Sequence, residues 1–308
     1  MSLLLISKNR DMNPWKEAIL ETDPDLDVEI WPRVEKNERV TFAVVWNQPP
    51  NVLNSYPNLG VVSSLGAGVD HLISDKTLPE KVKVTRVVIP SLKEQISDYV
   101  LNAVMNYRFN TATYVDQKRI GQWNPIDPIQ KADLTVGVMG LGEMGQSIIE
   151  RLQLNGYKVF GWSRSGSQVG NTVCYGGDQF DDFLRRTNIL VNALPLTSET
   201  NGILDLEVFK KLTSHSYLIN VGRGAHLIEE DLIYALDTDA LQGACLDVFE
   251  EEPLPTHHSF WNRPKIMVTP HVAAITDPKE AAKVIVENYK LSLSGMSLMY
   301  EVDRGKGY

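Results

Sequence analysis

Cysteine is scarce in this chain. Cys174 and Cys245 are the only two in 308 residues, and they stand far apart without a C-x-x-C pair. That usage excludes a disulfide framework and a cysteine-built zinc site, leaves no metal site expected, and fits a reducing cytoplasm. Long hydrophobic runs are missing too. None reaches the roughly 18 residues of a membrane-spanning helix, so no membrane attachment is expected. Positive charge is in deficit, 30 Lys and Arg against 39 Asp and Glu, for a formal net charge of -9. Such a surface repels polyanions, which argues against nucleic acid as a partner, although single cations can still hold a small anion. The segment Met1 to Ser7 has no basic stretch before its apolar run and reads as a first strand rather than a secretory signal.

What is present is an ordinary globular composition, 43% hydrophobic and 22% charged, without repeats or low-complexity tracts. The length favours two domains. Short Val, Ile and Leu runs alternate with amphipathic stretches, the rhythm of an α/β protein with parallel sheets. Strands are predicted at Leu3–Ile6, Val28–Trp31, Phe42–Trp46, Val61–Leu65, Leu134–Met139, Lys158–Trp162, Ile189–Ala193, Tyr217–Val221, Ala244–Val248 and Ile266–Thr269. Helices are predicted at Trp15–Thr22, Gln146–Leu154, Asp181–Arg186, Leu206–Leu212, Glu229–Leu236 and Asp277–Ser294, with one long helix from Ile96 to about Lys118.

The predicted strand Leu134–Met139 runs into Gly140-Leu141-Gly142-Glu143-Met144-Gly145, a G-x-G-x-x-G turn before a helix. Alone the pattern is weak, since glycines serve many turns. Between a buried strand and a helix start it fits a dinucleotide pyrophosphate seated on the helix N-terminus. Gly140 permits the tight turn, Gly142 admits the phosphates and Gly145 allows close packing. About 20 residues onward, where users of NAD carry an acid, the chain reads Trp162-Ser163-Arg164-Ser165. Ser163 removes the carboxylate that would repel a 2'-phosphate, and Arg164 offers it a planar fork. NADP(H) is the preferred cofactor on this reading, with NAD(H) as the alternative.

Arg223, Glu252 and His271 follow successive apolar runs, where a parallel sheet presents its carboxyl edge and ligands bind. Reduction of a carbonyl needs a proton for the developing alkoxide, which suits His271. Glu252 would orient the imidazole and favour its charged form, and Arg223 would clamp a carboxylate and polarise the carbonyl. Each also has a bland alternative as loop cation, acidic-run member or cap; their joint occurrence beside the glycine turn favours catalysis. His71, His215, His226, His257 and His258 read as solvated.

Through Gly140 to Gly145, Asn220-Val221-Gly222-Arg223-Gly224, Leu246-Asp247-Val248-Phe249 with Glu252-Pro253, and Thr269-Pro270-His271, the chain resembles the D-isomer-specific 2-hydroxyacid dehydrogenases over nearly its whole length. Trp162 to Ser165, Val272-Ala273-Ala274-Ile275-Thr276 and Val302-Asp303-Arg304 are most similar to the branch that reduces glyoxylate and hydroxypyruvate. The resemblance implies a Rossmann cofactor domain at 96–276 and a smaller, flavodoxin-like substrate domain made from 1–95 and 277–308. It assigns Arg223, Glu252 and His271 to catalysis. Gly140, Gly142, Glu143, Met144, Gly145, Ser163, Arg164, Ser165, Leu194, Pro195, Val221 and Asp247 fall to the cofactor, with Asp247 on the nicotinamide side. Trp46, Leu65, Ala67, Gly68 and Arg223 fall to the substrate, with the Ala67 and Gly68 amides taking its carboxylate.

It further implies a homodimer acting on a small 2-oxo acid or 2-hydroxy acid. The expected reaction is NADPH-dependent reduction of glyoxylate to glycolate and of hydroxypyruvate to D-glycerate. Alternatives are a dehydrogenase of a bulkier acid and a dinucleotide-sensing binding protein. Two departures stand out from the family pattern: Ser163 in place of an acid, and Gly222 in place of Ala or Ser, a change read as sterically mild.

Overall fold

The computed structural model describes residues 1–308, which divide into two compact units, Met1–Leu92 with Thr276–Tyr308 and Lys93–Ile275.

The first unit is built on five parallel strands: β1 (Ser2–Ser7), β2 (Val28–Ile30), β3 (Val40–Trp46), β4 (Val61–Ser64) and β5 (Lys83–Thr85). Their order is β2-β1-β3-β4-β5, the flavodoxin-like arrangement. A parallel strand covered on both faces needs no polar alternation, which is why Ser2-Leu3-Leu4-Leu5-Ile6-Ser7 is buried throughout. Pairing of Leu3–Ser7 with Phe42–Trp46 fixes its register. Helices α1 (Asn13–Thr22) and α9 (Pro278–Leu293) pack together, while the short α2 (Asp70–Ile73) follows β4. Helix α9 has a well-formed start, with Pro278 in its first turn and the Asp277 carboxylate accepting the Lys279 amide at 3.0 Å. The Val302-Asp303-Arg304 motif closes the unit. Val302 donates its amide to Val84, and the Arg304 guanidinium donates to the carbonyls of Leu78, Pro79, Glu80 and Val82 at 2.8–3.3 Å.

The second unit carries seven parallel strands: β6 (Thr135–Met139), β7 (Lys158–Trp162), β8 (Val173–Tyr175), β9 (Ile189–Asn192), β10 (Ser216–Asn220), β11 (Leu241–Leu246) and β12 (Ile266–Val268). The order β12-β11-β10-β9-β6-β7-β8 reverses direction beside β6, which makes this a doubly wound Rossmann sheet with its switch point at the glycine turn. Leu190 and Val191, Leu218 and Ile219, and Leu246 and Cys245 divide pairwise between two hydrophobic clusters, because successive strand residues face opposite sides. Helices α3 (Pro90–Arg108), α4 (Thr111–Arg119), α5 (Glu143–Leu154), α6 (Phe180–Leu184), α7 (Leu206–Lys211) and α8 (Glu229–Asp237) complete the chain order, α3 beginning in the last residues of the first unit.

The expected long helix from Ile96 to Lys118 is two helices. Asn110 takes a left-handed conformation (φ 55°), which Asn tolerates better than most residues, and the chain turns there. Strands β5 and β8 escape the hydrophobic pattern because β5, Lys83-Val84-Thr85, has a single apolar residue and β8, Val173-Cys174-Tyr175, has none that is fully buried. Strand β11 begins at Leu241 and ends before Asp247, which leaves that carboxylate in the loop beyond the sheet.

Candidate active site

The glycine turn after β6 is shaped by what its residues omit. Gly140 has φ +95°, and a Cβ there would come within 2.7 Å of the Ala193 carbonyl oxygen. A Cβ on Gly145 would collide with the Gly140 carbonyl, whereas one on Gly142 would meet nothing within 4 Å. Gly142 is the N-cap of α5 without a side-chain cap, so the first amides of a 12-residue helix face an open approach, as a pyrophosphate requires. Glu143, in that first turn, is paired with Lys93, which offsets its charge.

Beyond β7 the chain presents hydroxyls and a cation. Ser163 Oγ accepts the Ser167 amide at 3.1 Å, Ser165 and Ser167 hydroxyls lie 2.7 Å apart, and exposed Arg164 pairs with Glu199. An exposed pair of this kind is weak and exchangeable, so Arg164 remains fit for a phosphate. At the end of β9, Leu194 donates its amide to Asn192, and the Pro195 carbonyl accepts from Thr200 Oγ1 at 2.8 Å. These residues suit a dinucleotide with a 2'-phosphate.

The catalytic candidates stand on the neighbouring strand ends. Arg223 follows β10, its Nη1 donating to the Gly222 carbonyl at 2.8 Å. A Cβ on Gly224 would overlap the backbone of Phe249 and Glu250, so the arginine loop lies directly on the chain leaving β11. On that chain the Glu252 Oε1 accepts the Phe249 amide at 3.0 Å, and Oε2 lies 2.8 Å from His271 Nδ1. Burial pushes the Glu252 carboxyl up, but hydrogen bonds from His271 and Phe249 and the charges of His271 and Arg223 outweigh it and hold the carboxyl below its ordinary range. With Nδ1 engaged by the carboxylate, Nε2 is the ring nitrogen left for a proton transfer.

His271 adopts φ 54°, unusual for a non-glycine residue. Its amide donates to the Asp247 carbonyl at 2.8 Å, and the next two amides, of Val272 and Ala273, donate to the Asp247 carboxylate at 2.9 Å each. Thr269 Oγ1 adds a 2.6 Å bond to the same carboxylate and is itself 2.5 Å from Tyr99 Oη. Asp247, only 1% exposed, thus holds the turn that carries His271.

In the first unit, Trp46 ends β3 half-buried, with the Arg10 guanidinium over its ring at 4.7 Å and His71 at 5.1 Å. The loop after β4 is held by Ser64, whose Oγ donates to the Gly68 carbonyl at 2.7 Å and accepts the Gly66 amide at 3.3 Å. The amides of Ala67 and Gly68 find no protein acceptor, while the Leu65 side chain is fully buried and its amide is taken by Val45. Leu65 can therefore offer this loop only backbone.

Comparison with known proteins fits this geometry. The profile of the D-isomer specific 2-hydroxyacid dehydrogenase, NAD binding domain, matches residues 101–273. A glyoxylate/hydroxypyruvate reductase A of Photorhabdus laumondii is 37% identical over 304 residues, 97% of each chain. The chain belongs to the D-isomer-specific 2-hydroxyacid dehydrogenase family. Among solved members, the Xanthobacter autotrophicus enzyme in complex with NADPH and MES superposes with a TM-score of 0.95 at 35% identity, covering 100% of this chain and 99% of that one. The NADPH-dependent glyoxylate/hydroxypyruvate reductase of Sinorhizobium meliloti, in complex with NADP and sulfate, gives 0.93 at 34% identity with both chains fully covered.

In this dehydrogenase four sequence expectations need correction. His71 is half-buried against the Trp46 ring rather than solvated. His226 is fully buried rather than solvated, and contacts Asn192, the Arg223 amide and the Pro195 carbonyl. His258 is also engaged, its Nε2 lying 2.9 Å from Glu229. Nor is Gly222 an interchangeable small residue, since a Cβ would come within 2.7 Å of Asn192 Nδ2 and 3.0 Å of His226 Nδ1. A signal for this cluster was present. Asn192 and Asn220 end two apolar strands, and the sheet pairs them in register.

Proposed function

We propose that this dehydrogenase reduces glyoxylate to glycolate and hydroxypyruvate to D-glycerate with NADPH. The observation that carries the reading is the 2.8 Å contact of His271 Nδ1 with Glu252 beside Arg223, on the same sheet edge as the glycine turn. Gly140, Gly142, Glu143, Met144 and Gly145 would hold the pyrophosphate. Ser163, Arg164 and Ser165 would hold the 2'-phosphate, and Leu194, Pro195, Val221 and Asp247 the remainder. NADPH, when bound, supplies the hydride for the carbonyl carbon.

The chain's own residues do the rest. Arg223 binds the substrate carboxylate and, with a fixed fork of donors, draws density onto the carbonyl oxygen and away from the carbon that takes the hydride. His271 delivers the Nε2 proton to that oxygen, and Glu252 stabilises the imidazolium before transfer. The Ala67 and Gly68 amides are suited to a carboxylate because no protein group competes for them. Trp46 walls the substrate region of its unit.

A homodimer belongs to the same reading. Met105, Phe109, Tyr114, Val115, Ile120 and Trp123, from α3 through the segment after α4, are exposed and apolar, the surface a second copy would cover. No helix is long and apolar enough to cross a membrane. Cys245, buried and pushed up to about 11, and Cys174 are both free thiols, in keeping with a cytoplasmic enzyme.

The deciding experiment is a panel of 2-oxo acids assayed with NADPH and with NADH. The highest kcat/KM is expected for glyoxylate and hydroxypyruvate with NADPH; preference for phenylpyruvate or branched-chain acids would overturn the substrate, and no turnover with any would overturn the enzyme reading.

A further inference from the structure

Behind Arg223 lies a polar cluster that the reaction itself does not use. Asn192, Asn220 and His226 are all 0% exposed, so their donors and acceptors must be matched within the protein. The pattern of bonds fixes every orientation. Asn192 Oδ1 accepts the Leu194 amide, so its Nδ2 is the donor to Asn220 Oδ1 at 2.9 Å and to His226 Nδ1 at 2.8 Å. Asn220 Oδ1 also accepts the Gly222 amide, and its Nδ2 donates to the Arg223 carbonyl, both at 3.2 Å.

His226 Nδ1 then faces two donors, the second being the Arg223 amide at 3.0 Å, and so carries no proton. Its Nε2 lies 3.2 Å from the Pro195 carbonyl and must carry one. The imidazole is a neutral Nε2–H tautomer that grips two separate backbone segments. One is the Arg223 turn, where His226 reaches back from the third position of a 3₁₀ turn (Gly224–His226) to the N-cap amide; the other is the exit from β9. Gly222 completes the fit, because the space a Cβ would take there is filled by Asn192 and the ring.

We propose that His226 is a positioning residue with two separable arms, Nδ1 setting the backbone of the carboxylate-binding Arg223 and Nε2 setting the Leu194–Pro195 segment that faces the cofactor. The inference rests on the roles given above to Arg223 and to Leu194–Pro195. A residue that only filled the core would affect both functions together. Two arms acting on two segments affect them separately, and that difference is measurable.

Asn places an oxygen where His has Nδ1 and falls short of Pro195; Gln places an amide where His has Nε2 and leaves the Arg223 amide unmet. The test compares His226→Gln, His226→Asn and Arg223→Ala by melting temperature, NADPH affinity from fluorescence titration without substrate, oxamate inhibition, and steady-state kinetics. His226→Gln is expected to raise the glyoxylate KM and weaken oxamate by about tenfold with NADPH affinity within about twofold of wild type, the scale of one unmet buried bond. His226→Asn should do the reverse. Equal changes in both constants for both variants, or none in either, would overturn the proposal.

Arg223→Ala separates this from the underlying reading. If it leaves oxamate binding intact, the anchor assignment falls; if it abolishes that binding while His226→Gln does not weaken it, only the role of His226 falls. Should the His226 variants not fold, Gly222→Ala keeps the ring and crowds it. A glyoxylate KM raised by about fivefold supports the contact, and an unchanged KM overturns it.

Discussion

Three turns on one sheet edge achieve precise placement by two opposite means. The turn after β6 works by subtraction: Gly140 and Gly145 omit Cβ atoms that would strike backbone, and Gly142 leaves open the approach to α5. The turns after β10 and β12 work by addition. Buried Asn192, Asn220 and His226 stand behind Arg223, and Asp247 with Thr269 behind His271. The first strategy leaves backbone free to meet a ligand. The second holds a charged or titrating side chain in one orientation, which a loop of ordinary residues would not do.

If the division is real, damage to the additive side must spare the subtractive one. The largest effect is expected from His271→Ala, which removes the proposed proton donor: kcat should fall by about a thousandfold, within the range for a general acid. NADPH affinity, measured by fluorescence titration, should stay close to wild type. Loss of both would mean that the two kinds of turn are not independent, and near-normal kcat would remove His271 from its role.

Next in size is a change on the cofactor side. Ser163→Asp places a carboxylate beside Arg164 and the Ser165–Ser167 hydroxyl pair, where the 2'-phosphate is expected. Repulsion should lower kcat/KM with NADPH by about tenfold or more while NADH gains, as expected from like charges at short range. Kinetics with both cofactors read this directly. An unchanged NADPH efficiency would place the 2'-phosphate elsewhere.

The same contrast explains what could be read from the sequence. A turn made of missing side chains is local, so its glycines appear as a spaced motif and its strand and helix flank it. Arg223, Glu252 and His271 were legible because each follows an apolar run. The supports behind them left only a partial trace, the asparagines that end two apolar strands, since Asn192 meets His226 and Asp247 meets Thr269 only after β9, β10, β11 and β12 lie side by side. His226 looked like a loop histidine because two of its three partners, Asn192 and the Pro195 carbonyl, lie about 30 residues earlier in the chain. The break at Asn110 was hidden differently: apolar spacing continues past it, and only backbone conformation shows that the helix ends.

The smallest expected effect concerns acid. Glu252 is 36% exposed, and its carboxyl sits below the ordinary range because His271, the Phe249 amide and Arg223 together outweigh the effect of burial. A carboxyl depressed in the folded state contributes stability above its unfolded pKa of about 4.3 and loses that contribution as pH falls through the folded value. The melting temperature of wild type should therefore exceed that of Glu252→Gln near neutrality, and the gap should close, not widen, on acidification below the ordinary glutamate range. Partial exposure keeps the gap small. A gap that grew toward acid would reverse the sign, meaning that burial prevails and that Glu252 is held protonated instead of serving as the anionic partner of His271.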